Sequence, residues 1–270
     1  MSDELEEIKR IAKDAGAILL RHYHEPSTVH WKSPGDPVTA ADREASDLII
    51  SELRRLFPDD GILSEEAPDE ATRFGHDRVW LIDPMDGTRE FIEHRDEFAV
   101  MIGRLTDGVP SLGAVYQPTS DKLYYAETGS GAFLEQAGNR KQLNVSKEAV
   151  AANMTLAVSR SHKSSRIEKI RETLRIPHSV QSGSVGLKVG LILEQRAHLY
   201  IHPGNYTQIW DTCAPDAIIY EAGGMMTDIS DEPLQYDSQD VRNPNGLIAS
   251  NGVIHQRALQ VTQSVVESFR

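Results

Sequence analysis

The chain has a single cysteine, Cys213, among its 270 residues. An internal disulfide is therefore excluded, thiolate-held structural zinc goes with it, and nothing calls for an oxidising compartment. Long apolar runs are missing too: no stretch approaches the roughly 18 residues that span a bilayer. Met1 to Lys13 is acidic and helix-periodic and lacks the apolar core of a secretory signal. A soluble, cytoplasmic protein is the expectation. Positive charge is scarce, with 28 Lys and Arg against 41 Asp and Glu, a formal net charge of -13. A nucleic-acid backbone needs a basic surface, so the charge argues against non-specific nucleic-acid binding. A small anion reached through metal ions is not, because the acids could themselves be the metal ligands.

What is present is a globular composition, 39% hydrophobic and 26% charged, in a chain long enough for one large domain or two smaller ones. Leu5, Ile8, Ile11, Ala12, Ala15, Ile18, Leu19 and Tyr23 recur at helical spacing and predict an amphipathic helix over 4–23. A turn-rich loop at 31–37 follows, with Lys32 as a cation able to reach a phosphate. The second helix carries Ala45, Leu48, Ile49, Leu53 and Leu56, with Asp42 near its start. Ile62-Leu63 and Val79 to Ile82 read as buried strands, ended by Ser64-Glu65-Glu66 and by Asp83-Pro84. Stretches 98–105, 109–117, 123–127 and 131–135 predict further strands of a largely antiparallel sheet. Beyond a seam near 142–153, a strand over 154–159, a helix over 166–174, an apolar helix from Ser184 to Leu193 and a strand over 199–201 are expected. Trp210-Asp211 opens another helix, stopped at Gly223-Gly224, before a strand over 246–250 and a terminal helix from about Val253.

The acids at strand ends and helix starts are Asp42, Glu65, Asp83, Asp86 and Asp211. Each has an ordinary reading as well: a helix-start acid favoured by the dipole for Asp42, solvated surface for Glu65, a cap for Asp211, turn formers for Asp83 and Asp86. No histidine or cysteine is interleaved at zinc-ligand spacing, so the set is all-oxygen and suits Mg²⁺. Five acids exceed the needs of one ion and predict two or three ions bridged by a phosphate, which is equipment for phosphate-ester hydrolysis. Gly87 permits a sharp turn, and Thr88 opens a helix whose first amides favour an anion. Lys188, inside an apolar helix, is expected to snorkel to the surface.

Asp83-Pro84-Met85-Asp86-Gly87-Thr88, Ser64-Glu65-Glu66, Val38-Thr39-Ala40-Ala41-Asp42 and Trp210-Asp211 with Glu221-Ala222-Gly223-Gly224 together resemble the inositol monophosphatase superfamily. That group comprises Mg²⁺-dependent, lithium-sensitive phosphatases of sugar phosphates, inositol phosphates and bisphosphate nucleotides. The resemblance runs from the first helix to the last strand. It implies an α+β chain in a layered αβαβα fold, with residues 1–145 carrying most metal ligands and 146–270 carrying Asp211 and the leaving-group pocket, as one continuous catalytic unit. It further implies that Glu65, Asp83, Asp86, Asp211 and the Met85 carbonyl ligate metal, and that Asp42 and Thr88 orient and deprotonate water. The Gly87 and Thr88 amides would then hold phosphate, with Asp211 beside the substrate.

Ile62-Leu63-Ser64-Glu65-Glu66 and Asp86-Gly87-Thr88-Arg89-Glu90-Phe91 look most like the 3′(2′),5′-bisphosphate nucleotidase branch, in which Lys-Glu-Phe usually follows the Thr. Ile201-His202-Pro203-Gly204 lacks the acid with which the inositol branch binds ring hydroxyls. Ser184, Lys188 and His162 resemble that branch's nucleotide-binding residues, although the Ser-to-Lys spacing is longer here and His202 stands where some members have arginine. The expected activity is removal of the 3′-phosphate of adenosine 3′,5′-bisphosphate. Alternatives are an inositol-1-phosphate or sugar-phosphate phosphatase and, outside enzymes, a metal or nucleotide sensor. The expected partner is a small-molecule phosphate ester, and a homodimer is left open.

Overall fold

The computed structural model describes residues 2–24, 29–33, 36–69, 72–160 and 164–269. Helix α1 (Asp3–Tyr23) starts at the Ser2 cap, then strands β1 (Val29–Ser33) and β2 (Asp36–Thr39) pair antiparallel before helix α2 (Ala40–Leu56). Next come β3 (Gly61–Ser64), β4 (Arg78–Asp86), the short helix α3 (Thr88–Ile92), β5 (Ala99–Thr106), β6 (Val109–Gln117), β7 (Lys122–Glu127), β8 (Ala132–Gln136) and β9 (Asn139–Leu143). The remainder is β10 (Thr155–Ser159), α4 (Ser165–Leu174), β11 (His178–Ser182), α5 (Val185–Leu193), β12 (Leu199–His202), α6 (Ile209–Glu221), β13 (Met225–Thr227), β14 (Leu247–Ser250) and α7 (His255–Ser268).

Strands β3 to β9 form a seven-stranded sheet in sequence order, and the later strands a five-stranded sheet of order β11-β10-β12-β14-β13. Alternate residues of β4 explain the stacking. Trp80 and Ile82 point into a core with Leu5, Ile8, Ile11, Ile49 and Leu53 of α1 and α2. Leu81 points the other way, joining Leu191 of α5, Ile218 of α6 and Tyr200 and Leu247 of the second sheet. That sheet's far face, through Leu156, Leu199 and Ile248, packs on Ile170 of α4 and Leu259 of α7. A sheet covered on both faces needs a continuous apolar strand, which is why Val79 to Ile82 reads unbroken. The order is thus helices, sheet, helices, sheet, helices: the αβαβα layering expected.

Helix α6 lies close against the first sheet because two glycines leave room for it. A Cβ on Gly113 would sit 2.3 Å from Ala214 O, and one on Gly103 2.6 Å from Cys213 Sγ. Gly113→Ala is therefore expected to lower stability by about 1–3 kcal/mol, since backbone cannot yield as a side chain can. A urea midpoint unchanged from the parent would contradict this packing.

Local differences from the sequence reading have physical reasons. Val29–Ser33 and Asp36–Thr39 pair as antiparallel strands where the sequence predicts a loop over 31–37. β4 continues through Pro84, with Asp83 opposite Met101 and Asp86 opposite Ala99, so one extra residue is absorbed as a bulge where Pro84 has no amide to pair. β9, β11 and β13 were not anticipated: β9 and β11 are largely exposed and lack alternation, and β13 has only three residues.

Candidate active site

The bulge at the end of β4 presents Asp83 and Asp86. Asp83 is 2% exposed, and its Oδ1 accepts the Met85 amide at 2.9 Å. Gly87 then adopts φ 102°, and a Cβ there would lie 2.7 Å from Glu97 O, so both conformation and space demand glycine. β3 runs parallel to β4, pairing Ser64 with Ile82, and Glu65 leaves it with its amide on Ile82 O at 3.1 Å. Glu65 is thereby set beside Asp83.

Two helices bring the other acids by their first turns. In α2, Asp42 Oδ2 accepts the amide and the hydroxyl of Thr39, each at 2.7 Å, while Asp42 Oδ1 accepts from Thr88 Oγ1 at 3.2 Å. In α6, Asp211 Oδ2 accepts the Gln208 amide at 2.8 Å. Both acids therefore cap a helix. Helix α5 supplies the fifth side. Ser184 Oγ donates to Asp86 Oδ2 at 2.5 Å, the Gly186 amide joins it at 3.0 Å, and Lys188 Nζ donates to Gly183 O at 2.6 Å.

Electrostatics show that the acids converge. Burial lifts Asp83 well above the usual carboxylate range, and the charges of Glu65, Asp86 and Asp211 push it further. Asp211 is raised in the same way, by burial and then by Asp86 and Glu65. Burial also raises Asp86, against the pull of Lys188, the Ser184 hydroxyl and the Gly186 amide. Asp42 is pushed up to about 6, chiefly by burial, while its Thr39 hydrogen bonds oppose the shift. Lys188 goes the other way: burial holds it below the ordinary lysine value despite Asp86 and Glu90 nearby. Among the described residues, no three such acids are drawn into a closed ligand sphere. Instead, one oxygen each of Asp83, Asp86 and Asp211 is engaged by a backbone amide.

Ser184 and Lys188, expected at the substrate, are 0% and 2% exposed and pack behind Asp86. Lys188 does not snorkel; α5 is buried all round, and its amine is satisfied inside. His162 and the Lys32 side chain lie outside what is described. An open groove of about 1000 Å³ is lined by Gln181, Tyr200, His202 and Tyr206 and by Ser164 and Arg166 at the start of α4, with none of the five acids in its wall. The Tyr200 ring is 5.0 Å from Lys188 Nζ, which ties the groove to the acids. Arg166, Tyr206, Glu97 and Arg160, which lie at or beside this groove, have no role in the sequence reading. Tyr206, an aromatic 78% exposed beside a Pro-Gly turn, was the one with a signal.

A layered αβαβα fold with oxygen-donor acids at strand ends and helix starts suits a phosphatase. A profile of the Inositol monophosphatase family matches residues 1–267, and the chain belongs to that family. It is 37% identical over 239 residues to the Escherichia coli K12 3′(2′),5′-bisphosphate nucleotidase CysQ, covering 87% of this chain and 95% of that protein. It is 32% identical over 273 residues to the Thermotoga maritima fructose-1,6-bisphosphatase/inositol-1-monophosphatase, covering 99% and 98%. Among solved structures, a Thermotoga maritima IMPase superposes with a TM-score of 0.86 at 30% identity over 100% of both chains. The CysQ of Bacteroides thetaiotaomicron superposes at 0.79 with 29% identity over 92% of this chain and 97% of that one. The chain is thus a phosphatase-family enzyme. No helix among the described residues is long and apolar enough to cross a membrane.

Proposed function

We propose that this phosphatase removes the 3′-phosphate of adenosine 3′,5′-bisphosphate with the help of Mg²⁺. The observation that carries the reading is the groove running from Tyr200 beside the acids out to Tyr206, walled by His202 and Arg166. It is roomy for a nucleoside and offers aromatic edges and a cation to a base and a second phosphate. The likeness to CysQ nucleotidases supports the same choice.

The donor set fits a hard divalent ion: every group is oxygen, and burial with the charges of Glu65 and Asp86 raises the proton affinity of both Asp83 and Asp211, which a cation would relieve. Glu65, Asp83, Asp86, Asp211 and the Met85 carbonyl are the residues to hold two or three Mg²⁺ ions, which when bound supply positive charge and ease the ionisation of water. The chain's own groups do the rest. Thr88 Oγ1 is 3.2 Å from both Asp42 Oδ1 and Met85 O, and its one hydrogen, given to Asp42, leaves its lone pairs to orient a water. The water's proton moves through the hydroxyl to Asp42, whose buried carboxylate accepts it near neutral pH. The Gly87 and Thr88 amides face the phosphate, and Asp211 lies beside the substrate.

Phosphate release from a panel tests the reading. With Mg²⁺, kcat/KM for adenosine 3′,5′-bisphosphate is expected to exceed that for inositol 1-phosphate and fructose 1,6-bisphosphate by about tenfold or more. A preference for either of the latter would replace it with the second reading, a sugar- or inositol-phosphate phosphatase. The full-length match to the Thermotoga maritima enzyme favours that alternative.

A further inference from the structure

Glu97 lies between the acid-bearing turn and the groove. Its carbonyl is the atom a Cβ on Gly87 would strike, at 2.7 Å. Its carboxylate reaches across to the second sheet, where Oε2 accepts from Arg160 Nε at 2.7 Å and from the Gly183 amide at 3.0 Å, and Oε1 accepts from Arg160 Nη2 at 2.5 Å. Such a two-oxygen fork fixes the guanidinium plane. Arg160 Nη1 in turn donates to Gln181 Oε1 at 3.1 Å, and Gln181 lines the groove. An amide oxygen committed to arginine turns the amide nitrogen, a donor of two hydrogens, the other way. Gly183 leads directly into Ser184, which holds Asp86.

We propose that Glu97 is a positioning residue that locks the leaving-group side of the cleft, Arg160 and Gln181, to the Asp86-Gly87 turn on the metal side. Resting on the nucleotidase reading, it names how a bulky leaving group is held in register with the reacting phosphate. It also means that Arg160, neutralised by Glu97, acts through Gln181 rather than as a cation free to take the substrate's second phosphate.

The test compares a bulky and a small substrate in full-length Glu97→Gln, Glu97→Asp and Arg160→Lys proteins with Mg²⁺. Because small displacements at a reacting centre are costly, Glu97→Gln is expected to lower kcat/KM for adenosine 3′,5′-bisphosphate by about tenfold or more and that for p-nitrophenyl phosphate by less than about threefold. Glu97→Asp, which keeps the charge, should recover most of the loss, and Arg160→Lys, which loses the fork, should mimic Glu97→Gln. Equal losses on both substrates, no loss on either, or tighter nucleotide binding once Arg160 is released would each overturn the proposal. If the wild type instead prefers a sugar or inositol phosphate, the nucleotidase reading fails alone, and the same ratio taken with that substrate decides the role of Glu97.

Discussion

Asp83→Asn is expected to remove turnover, by about 10³-fold or more, and at the same time to make the metal-free protein more stable. The carboxylate is almost wholly buried among Glu65, Asp86 and Asp211, so its charge is opposed both by desolvation and by its neighbours. An asparagine keeps an oxygen to accept the Met85 amide and carries no charge. The gain should be on the order of 1–3 kcal/mol near neutral pH, the scale on which relieving a strained functional site repays stability. The sign follows from proton counting. Folding raises the carboxyl pKa above its unfolded value of about 3.9, so the folded state holds the extra proton. Stability from this group is therefore fully present at low pH and is lost as pH rises toward the folded pKa. Asp211, raised by burial and its acidic neighbours, and Asp216, pushed up to about 7 by burial, act with the same sign. Melting temperatures of the chelator-treated protein should fall between pH 5 and 7, and less so in Asp83→Asn, on the usual carboxylate linkage. Mg²⁺ should raise the wild-type melting point more at the upper pH, where the acids are charged. A destabilised Asp83→Asn protein would show that the acids do not strain one another.

The second large effect is expected at Asp42. Asp42→Asn should lower kcat by about 10²–10⁴ while leaving KM nearly unchanged, the signature of a lost proton acceptor. The substitution isolates chemistry from folding: the amide oxygen can still take the Thr39 amide and hydroxyl that close the start of α2. What changes is the side facing Thr88, where an acceptor becomes an NH₂ donor and the hydroxyl has nowhere to pass a proton. A loss below about tenfold at saturating substrate would assign Asp42 to the helix cap alone.

Much of this site could be read from the sequence because local rules place it. Glu65 and Asp83 follow apolar strands, and Asp42 and Asp211 open amphipathic or apolar helices, so each position is set by a few neighbours. The five-layer arrangement was legible only through the family resemblance, since periodicity alone does not say which face of β4 meets α1 and which meets α5. What stayed hidden is non-local. The Glu97–Arg160 pair joins residues 63 apart in the chain, and neither side chain has a pattern that names its partner. Taken alone, Lys188 reads as a surface lysine because snorkelling is the usual escape, and by resemblance as a substrate contact. Here α5 is enclosed on every side, and a carbonyl five residues earlier satisfies the amine. The pairing of β1 with β2 is hidden because Ser33, Pro34, Gly35, Asp36 and Pro37 are turn residues that outnumber the strand formers around them.

Asp42 and Asp211 each fasten the first turn of a helix to the residue three places before them. A carboxylate bound to its own helix start cannot swing freely, so its bearing is inherited from secondary structure. The chemical groups are aimed as soon as those helices nucleate, and no later rearrangement of a loop is needed to aim them.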